Sequence, residues 1–201
     1  ATCVTPSPVG ATGRVVSSSH IYFLGHEQQG EGPPSDGWIQ YATLPNGSLS
    51  TLVELPQMHP GALVIHDGFV WSTGGGRIWR VPSTGGPAEE LGDASGVLFA
   101  ASGSRLYFWN DSEISAYDSL AGGFETIASV GGSLMDARLF DGWIYWSTHP
   151  TTTEPSLLRR VPEAGGTPTV LIESVGHPFA AGAAVFYSVG VYPESSVLRF
   201  D

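Results

Sequence analysis

Four histidines fall into two pairs whose spacing invites a chemical reading. His26 and His149 each lie three residues beyond an aromatic landmark, "IYF" ending at Phe23 and "IYW" ending at Trp146, and Asp111 holds the same position after "LYF". His59 and His177 each begin a His-Pro pair ahead of an apolar stretch. Neutral imidazoles converging on one axis could hold a divalent zinc, copper or iron ion, or move protons with Glu27 or Asp111 close by. A plainer explanation stands beside that one: a His-Pro pair repeated at one position of a repeat is also what inherited turn chemistry looks like, with proline stiffening a link. A second set of candidates, Trp109 and Tyr192 with Glu27 and Asp111, suits ligand binding, because aromatic rings that break a repeat can stack on a sugar or a peptide.

Whether such residues can meet depends on the elements that carry them, and those elements repeat. The aromatic landmarks end at Phe23, Trp71, Phe108, Trp146 and Tyr187, spaced 48, 37, 38 and 41 residues apart. Each follows a small or polar turn such as "IHDG" or "FDGW", and each turn follows a short apolar stretch that reads as a strand. Three copies then converge on "RIWRVPSTGG" (77–86), "EISAYDSLAGG" (113–123) and "LLRRVPEAGG" (157–166), where Gly-Gly supplies the positive φ angles that a two-residue hairpin demands. Asn46-Gly47 stands in that place in the first copy. A last strand follows each turn, so about 40 residues hold four strands, the layout of a β-propeller blade.

These spacings predict an all-β fold: a five-bladed β-propeller of four-stranded blades in one domain, 1–201, with approximate blades 9–55, 61–92, 96–129, 134–174 and 178–201 plus 1–5. The fifth copy stops at Asp201 without a fourth strand, and residues 2–5 have the pattern to supply it. Counted round that break from Tyr187 to Phe23, the period is again 37 residues. The N-terminal strand is therefore expected to complete the last blade and close the ring, which leaves no open edge for aggregation. In such a ring, the four histidines sit on consecutive blades. The loops after the second strands and the links between blades share one face, which carries both long insertions, 24–37 and 147–156. His20 and His66 lie towards the other face and read as turn residues.

The units "IYWST" and "FVWST" followed by "RVP..GG" resemble YWTD-type propeller repeats, and more closely the short secreted bacterial propellers built from "VYW … RVP..GG" units. The resemblance covers nearly the whole chain. It implies the fold, and it leaves function open among binding modules, lyases, hydrolases and scaffolds. The chain departs from the YWTD pattern in its five copies rather than six, and in the Asp of the motif, which is Thr or absent.

Composition narrows the function. The chain has 19 acidic residues against 8 basic ones, all arginine, for a net charge of −11. Such a field repels a nucleic-acid backbone and anionic membrane surfaces. No apolar run approaches a membrane span. The single Cys3 gives no disulfide framework. "STGGGR" opens no helix and so makes no phosphate loop, and no G-x-S-x-G nucleophile elbow occurs. The start "ATCVTPS" has the look of a chain left by signal-peptide cleavage or trimming, so a secreted or periplasmic protein, monomeric, is expected. The leading expectation is a module that binds a small glycan or peptide through the insertion-bearing face. The alternatives are a metal-dependent lyase or hydrolase using His26, His59, His149 and His177, and a structural or assembly module.

Overall fold

The landmark segments are strands because their side chains are apolar on both faces, a pattern that suits a strand covered from both sides. In the computed structural model, which describes residues 13–26, 37–45, 47–55, 60–149, 155–173, 175–181, 184–189 and 196–200, every regular element is a β-strand. The first sheet holds β1 (Gly13–Val16), β2 (His20–His26), β3 (Gly37–Thr43) and β4 (Leu49–Leu55). The second holds β5 (Pro60–His66), β6 (Phe69–Gly74), β7 (Arg77–Pro82) and β8 (Glu89–Asp93). The third holds β9 (Val97–Ser102), β10 (Arg105–Trp109), β11 (Glu113–Asp118) and β12 (Phe124–Ser129). The fourth holds β13 (Leu134–Phe140), β14 (Trp143–Thr148), β15 (Leu157–Pro162) and β16 (Thr169–Glu173), and the last β17 (Val175–Ala181), β18 (Ala184–Val189) and β19 (Ser196–Phe200). Four sheets thus have four strands in sequence order and one has three. The fourth strand expected of that last sheet, residues 1–5, lies outside the described residues.

The chain divides into two compact units, Ala1–Ser104 and Arg105–Asp201, and the division falls between β9 and β10. In the first unit, the opening strands β1, β5 and β9 lie side by side, and the first two sheets pack through Tyr22, Leu24, Ile39, Leu52, Leu55, Val70 and Val81. In the second unit, β13 adjoins β17, and Tyr107, Phe108, Trp146 and Leu158 are buried. Each such side chain contributes about 1.5–3 kcal/mol.

Second strands are buried almost throughout: β6 and β14 bury every residue after the first, including Ser72, Thr73, Ser147 and Thr148 of the two "WST" copies. The outer strands β8 and β16 bury no residue, and β8 carries Glu89, Glu90 and Asp93 along its edge. Acidic side chains on an outer strand discourage edge-to-edge pairing.

Two kinds of turn depart from each other. Asp67-Gly68 and Asp141-Gly142 each form a two-residue hairpin, both residues at positive φ, with the aspartates at 49° and 48°. That is the geometry a type I′ turn requires. The Gly-Gly pairs differ from the sequence expectation. Gly85-Gly86 and Gly165-Gly166 do have positive φ, but they lie inside longer links, since β7 ends at Pro82 and β8 begins at Glu89, and β15 ends at Pro162 and β16 at Thr169. Each link opens with a local turn, in which Gly85 N donates to Pro82 O at 2.9 Å and Gly165 N to Pro162 O at 2.8 Å.

A further regularity escapes the sequence pattern. The ladder between third and fourth strands shifts register at Ile39/Gln40, Ile78/Trp79, Ile114/Ser115 and Leu158/Arg159, equivalent positions of four sheets. Bulges of this kind bend and twist the outer strand.

A hydroxyl-rimmed aromatic cleft

Alternation along a strand puts His20 and Tyr22 on one face of β2, and the register pairs Tyr22 directly with Tyr41 of β3. The three rings therefore gather on one patch of the first sheet. His20 meets Tyr41 edge-on, with centroids 5.4 Å apart and planes at 64°, while Tyr22 lies 5.9 Å from His20 and 6.2 Å from Tyr41. The turn Ser17–Ser19 closes over them. Ser17 Oγ accepts from His20 N at 2.9 Å, Ser17 N donates to His20 O at 2.8 Å, and Ser19 Oγ and His20 Nδ1 are 2.8 Å apart, a hydrogen bond in either tautomer. From the second sheet, Tyr22 receives a partner: its hydroxyl donates to Ser83 O at 3.1 Å.

These residues, with Ile65, Ser83 and Thr84, line an open cleft of about 450 Å³. Tyr22 is 2 % exposed and forms its base, whereas His20 and Tyr41 are half-buried and present ring surface to the opening. Burial raises the Tyr22 phenol above its usual pKa of 10.0, and the neighbouring Tyr41 pushes the same way. Among the described residues, no carboxylate, guanidinium or ammonium lines the cleft. Ser19 and His20 form a hydroxyl–imidazole pair, and among the described lining residues no carboxylate orients the imidazole as the third member of a triad does.

The cleft lies at the ends of the sheets that carry the β1–β2 and β7–β8 turns. That is opposite the end where the 27–36 segment links β2 to β3, and so opposite the face on which function was expected. His20, expected to be a turn residue, is instead the start of β2 and part of this wall. His66, expected to be a turn residue too, is likewise a strand residue, the last of β5, and its Nε2 bonds Gly103 O at 2.9 Å.

The expected site residues are distributed as follows. His26 is the last residue of β2, paired with Gly37, rather than a loop residue. His177 and Pro178 lie within β17, where the ladder shifts register between Val175 and Pro178, so the second His-Pro pair sits at a bulge in a strand instead of a link. Proline has no N–H to give the ladder, and it is tolerated here because the ladder is interrupted at the bulge. The ring positions of His26 and His177 are not among the described side chains, and His59, Glu27 and Tyr192 lie outside the described residues. His149 is exposed, its backbone N bonded to Ser133 O at 2.7 Å. Trp109 ends β10 instead of lying in a loop, and Asp111 is exposed in a turn built by Asn110, whose Oδ1 accepts from Ser112 N at 2.9 Å and Glu113 N at 3.0 Å. Among the described residues, no group of three or more His, Cys, Asp or Glu side chains could hold a metal ion.

A second, smaller depression of about 270 Å³ lies in the other unit between Arg105, Asp118, Phe124 and Glu125. Arg105 pairs with Glu125 at 3.2 Å there, so its charge is already met.

Sheets of this kind define a class. The chain has the fold of β-propeller structures. It is 16 % identical to a chain of a nidogen/laminin complex, with a TM-score of 0.62 over 89 % of this chain and 72 % of that one. An oligogalacturonate lyase solved in complex with manganese matches at 11 % identity and a TM-score of 0.62, over 89 % of this chain and 61 % of the lyase. A prolyl endopeptidase matches at 11 % and 0.59, over 94 % of this chain but 35 % of that chain. Identities this low carry the fold alone. No family model matches the sequence, and no curated protein does. Among the described residues, no helix is long and apolar enough to cross a membrane.

Proposed function

We propose that this chain is a ligand-binding module that takes a glycan or a peptide, acting outside the cytoplasm as a secreted or periplasmic protein. The observation that carries the reading is the cleft of about 450 Å³ with two half-exposed rings held on adjacent strands and a rim of five hydroxyl side chains. Clefts of this size and mixed character are where small ligands bind. The rings stand on a sheet rather than on a loop, so little ordering is left to do on binding. In the same proposal the five sheets form a closed ring, with residues 2–5 adding the fourth strand to β19. Arrays of glycans and of short peptides, followed by mapping of amide shifts for any hit, test the binding reading. Shifts centred on Ser17–Tyr22, Tyr41, Ser83 and Thr84 are expected, and hits whose shifts all lie elsewhere would reject this cleft.

A second reading draws on the fold shared with a lyase that was solved with manganese. In it, His26, His59, His149 and His177 converge on a zinc, copper or iron ion, with Glu27 or Asp111 as the acid–base partner. Elemental analysis of the native protein and of the His59→Ala/His177→Ala variant tests it. A stoichiometric metal lost in the variant supports the enzyme, and metal-free native protein rejects it.

A further inference from the structure

The cleft is an uncharged place on a strongly charged molecule, and that contrast selects among ligands. The whole chain carries a net charge of −11, yet the described lining consists of Ser, Thr, Tyr, Ile and one His. An anionic ligand would enter against the field of the protein and find no guanidinium to meet it. A cationic ligand would gain from the field outside but find no carboxylate within. What the lining does offer is ring surface beside many short hydroxyls, each both donor and acceptor. A pyranose ring has the complementary surface: apolar C–H faces that lie on aromatic rings, and hydroxyls around its edge that exchange hydrogen bonds with Ser and Thr.

We propose that the cleft binds a neutral saccharide, with Tyr41 as the stacking ring, His20 edge-on beside it, and Ser17, Ser18, Ser19, Ser83 and Thr84 as the hydroxyl rim. This rests on the binding-module reading above and narrows it to one ligand class. Tyr22, nearly fully buried, holds the base of the cleft by its bond to Ser83 and takes no direct part in stacking. Ser19 holds the His20 ring through Nδ1 and so keeps it edge-on to Tyr41.

The experiment titrates the isotopically labelled full chain with neutral hexasaccharides of glucose, mannose and xylose, with oligogalacturonate of the same length, and with tyrosine- and proline-rich peptides. At least one neutral hexasaccharide is expected to give saturable shifts at Ser17–Tyr22, Tyr41, Ser83 and Thr84, with an affinity unchanged between low and high salt, because no ion pair is formed. Tyr41→Phe keeps the ring and is expected to bind within about threefold of the parent. Tyr41→Ala, with its fold checked by thermal unfolding, is expected to lose tenfold or more, in keeping with the stacking contribution of one aromatic side chain. Oligogalacturonate binding as well as or better than the neutral sugars would overturn the proposal, as would unchanged affinity in folded Tyr41→Ala. Cleft shifts with a peptide and with no saccharide would overturn it while leaving the binding module standing. Silence from every ligand would remove both.

Discussion

Tyr22 of β2 donates its hydroxyl to the backbone carbonyl of Ser83, 61 residues later in the turn after β7, and so joins the first sheet to the second at the base of the cleft. Removing that hydroxyl in Tyr22→Phe is expected to lower stability by about 1 kcal/mol, the usual net worth of one such bond. Chemical denaturation at pH 7 measures it.

The same residue gives the molecule an alkaline weakness. Burial raises the pKa of Tyr22 above 10.0, and that of Tyr107 as well, where Glu163 adds to the effect. In the unfolded chain these phenols ionise near 10, while in the folded protein they keep their protons to higher pH. Between the two pKa values the native state binds more protons than the unfolded one, so stability is intact below pH 10 and falls as pH rises from there. Denaturation midpoints between pH 8 and 12 should show this decline, and Tyr22→Phe should flatten it.

Gly25 and Trp38 face each other across β2 and β3, and the indole lies so close that a Cβ at residue 25 would collide with its Nε1 and Cε2. Gly25→Ala is expected to destabilise by about 1–3 kcal/mol, the range for overpacking. Adding Trp38→Leu should recover part of that loss, because the two positions are coupled through one contact. A double-mutant cycle by urea unfolding decides it.

In the second unit, Arg159 of β15 donates through Nη1 to Val130 O, a carbonyl that also accepts from Trp146 Nε1 at 3.3 Å, and reaches Gly131 O at 3.3 Å. One guanidinium thereby holds the 130–133 link against the fourth sheet. Arg159→Ala is expected to cost about 1.5–3 kcal/mol, as charge-assisted bonds do. Hydrogen exchange at residues 130–133 should quicken more than exchange in β16, which the guanidinium does not touch.

The parts of the fold that could be read in advance are those in which one residue type has one physical use. Asp67-Gly68 and Asp141-Gly142 announce their turns because few other pairs tolerate positive φ twice in succession. The runs ending at Phe23, Trp71, Phe108 and Trp146 announce covered strands, and all four side chains are buried. Gly-Gly misled because positive φ is compatible with several turns, and the longer links used here have the same local preference. The bulges left no trace because the extra residue in each outer strand, Leu52, Leu91, Ile127 or Leu171, is an ordinary apolar strand residue. The cleft was missed for a different reason. His20, Tyr22 and Tyr41 look like strand residues one at a time, and they become a site when the β2–β3 register sets Tyr22 opposite Tyr41. Ser83 joins them from a different sheet, which a repeat period alone does not foretell.

The shift of register between third and fourth strands is present at the same place in four sheets, and in β8 and β16, which bury no residue, it makes the rim strand a separable layer. Beyond Ile39, Ile78, Ile114 or Leu158, the fourth strand keeps its own alignment rather than inheriting that of the third. Fraying can therefore begin at the outer strand and halt at the irregularity, leaving the three strands within it to open only in rarer, larger excursions. A molecule built this way can lose and regain its periphery one strip at a time while Tyr22 and Tyr41, which lie inward of that line, stay in register.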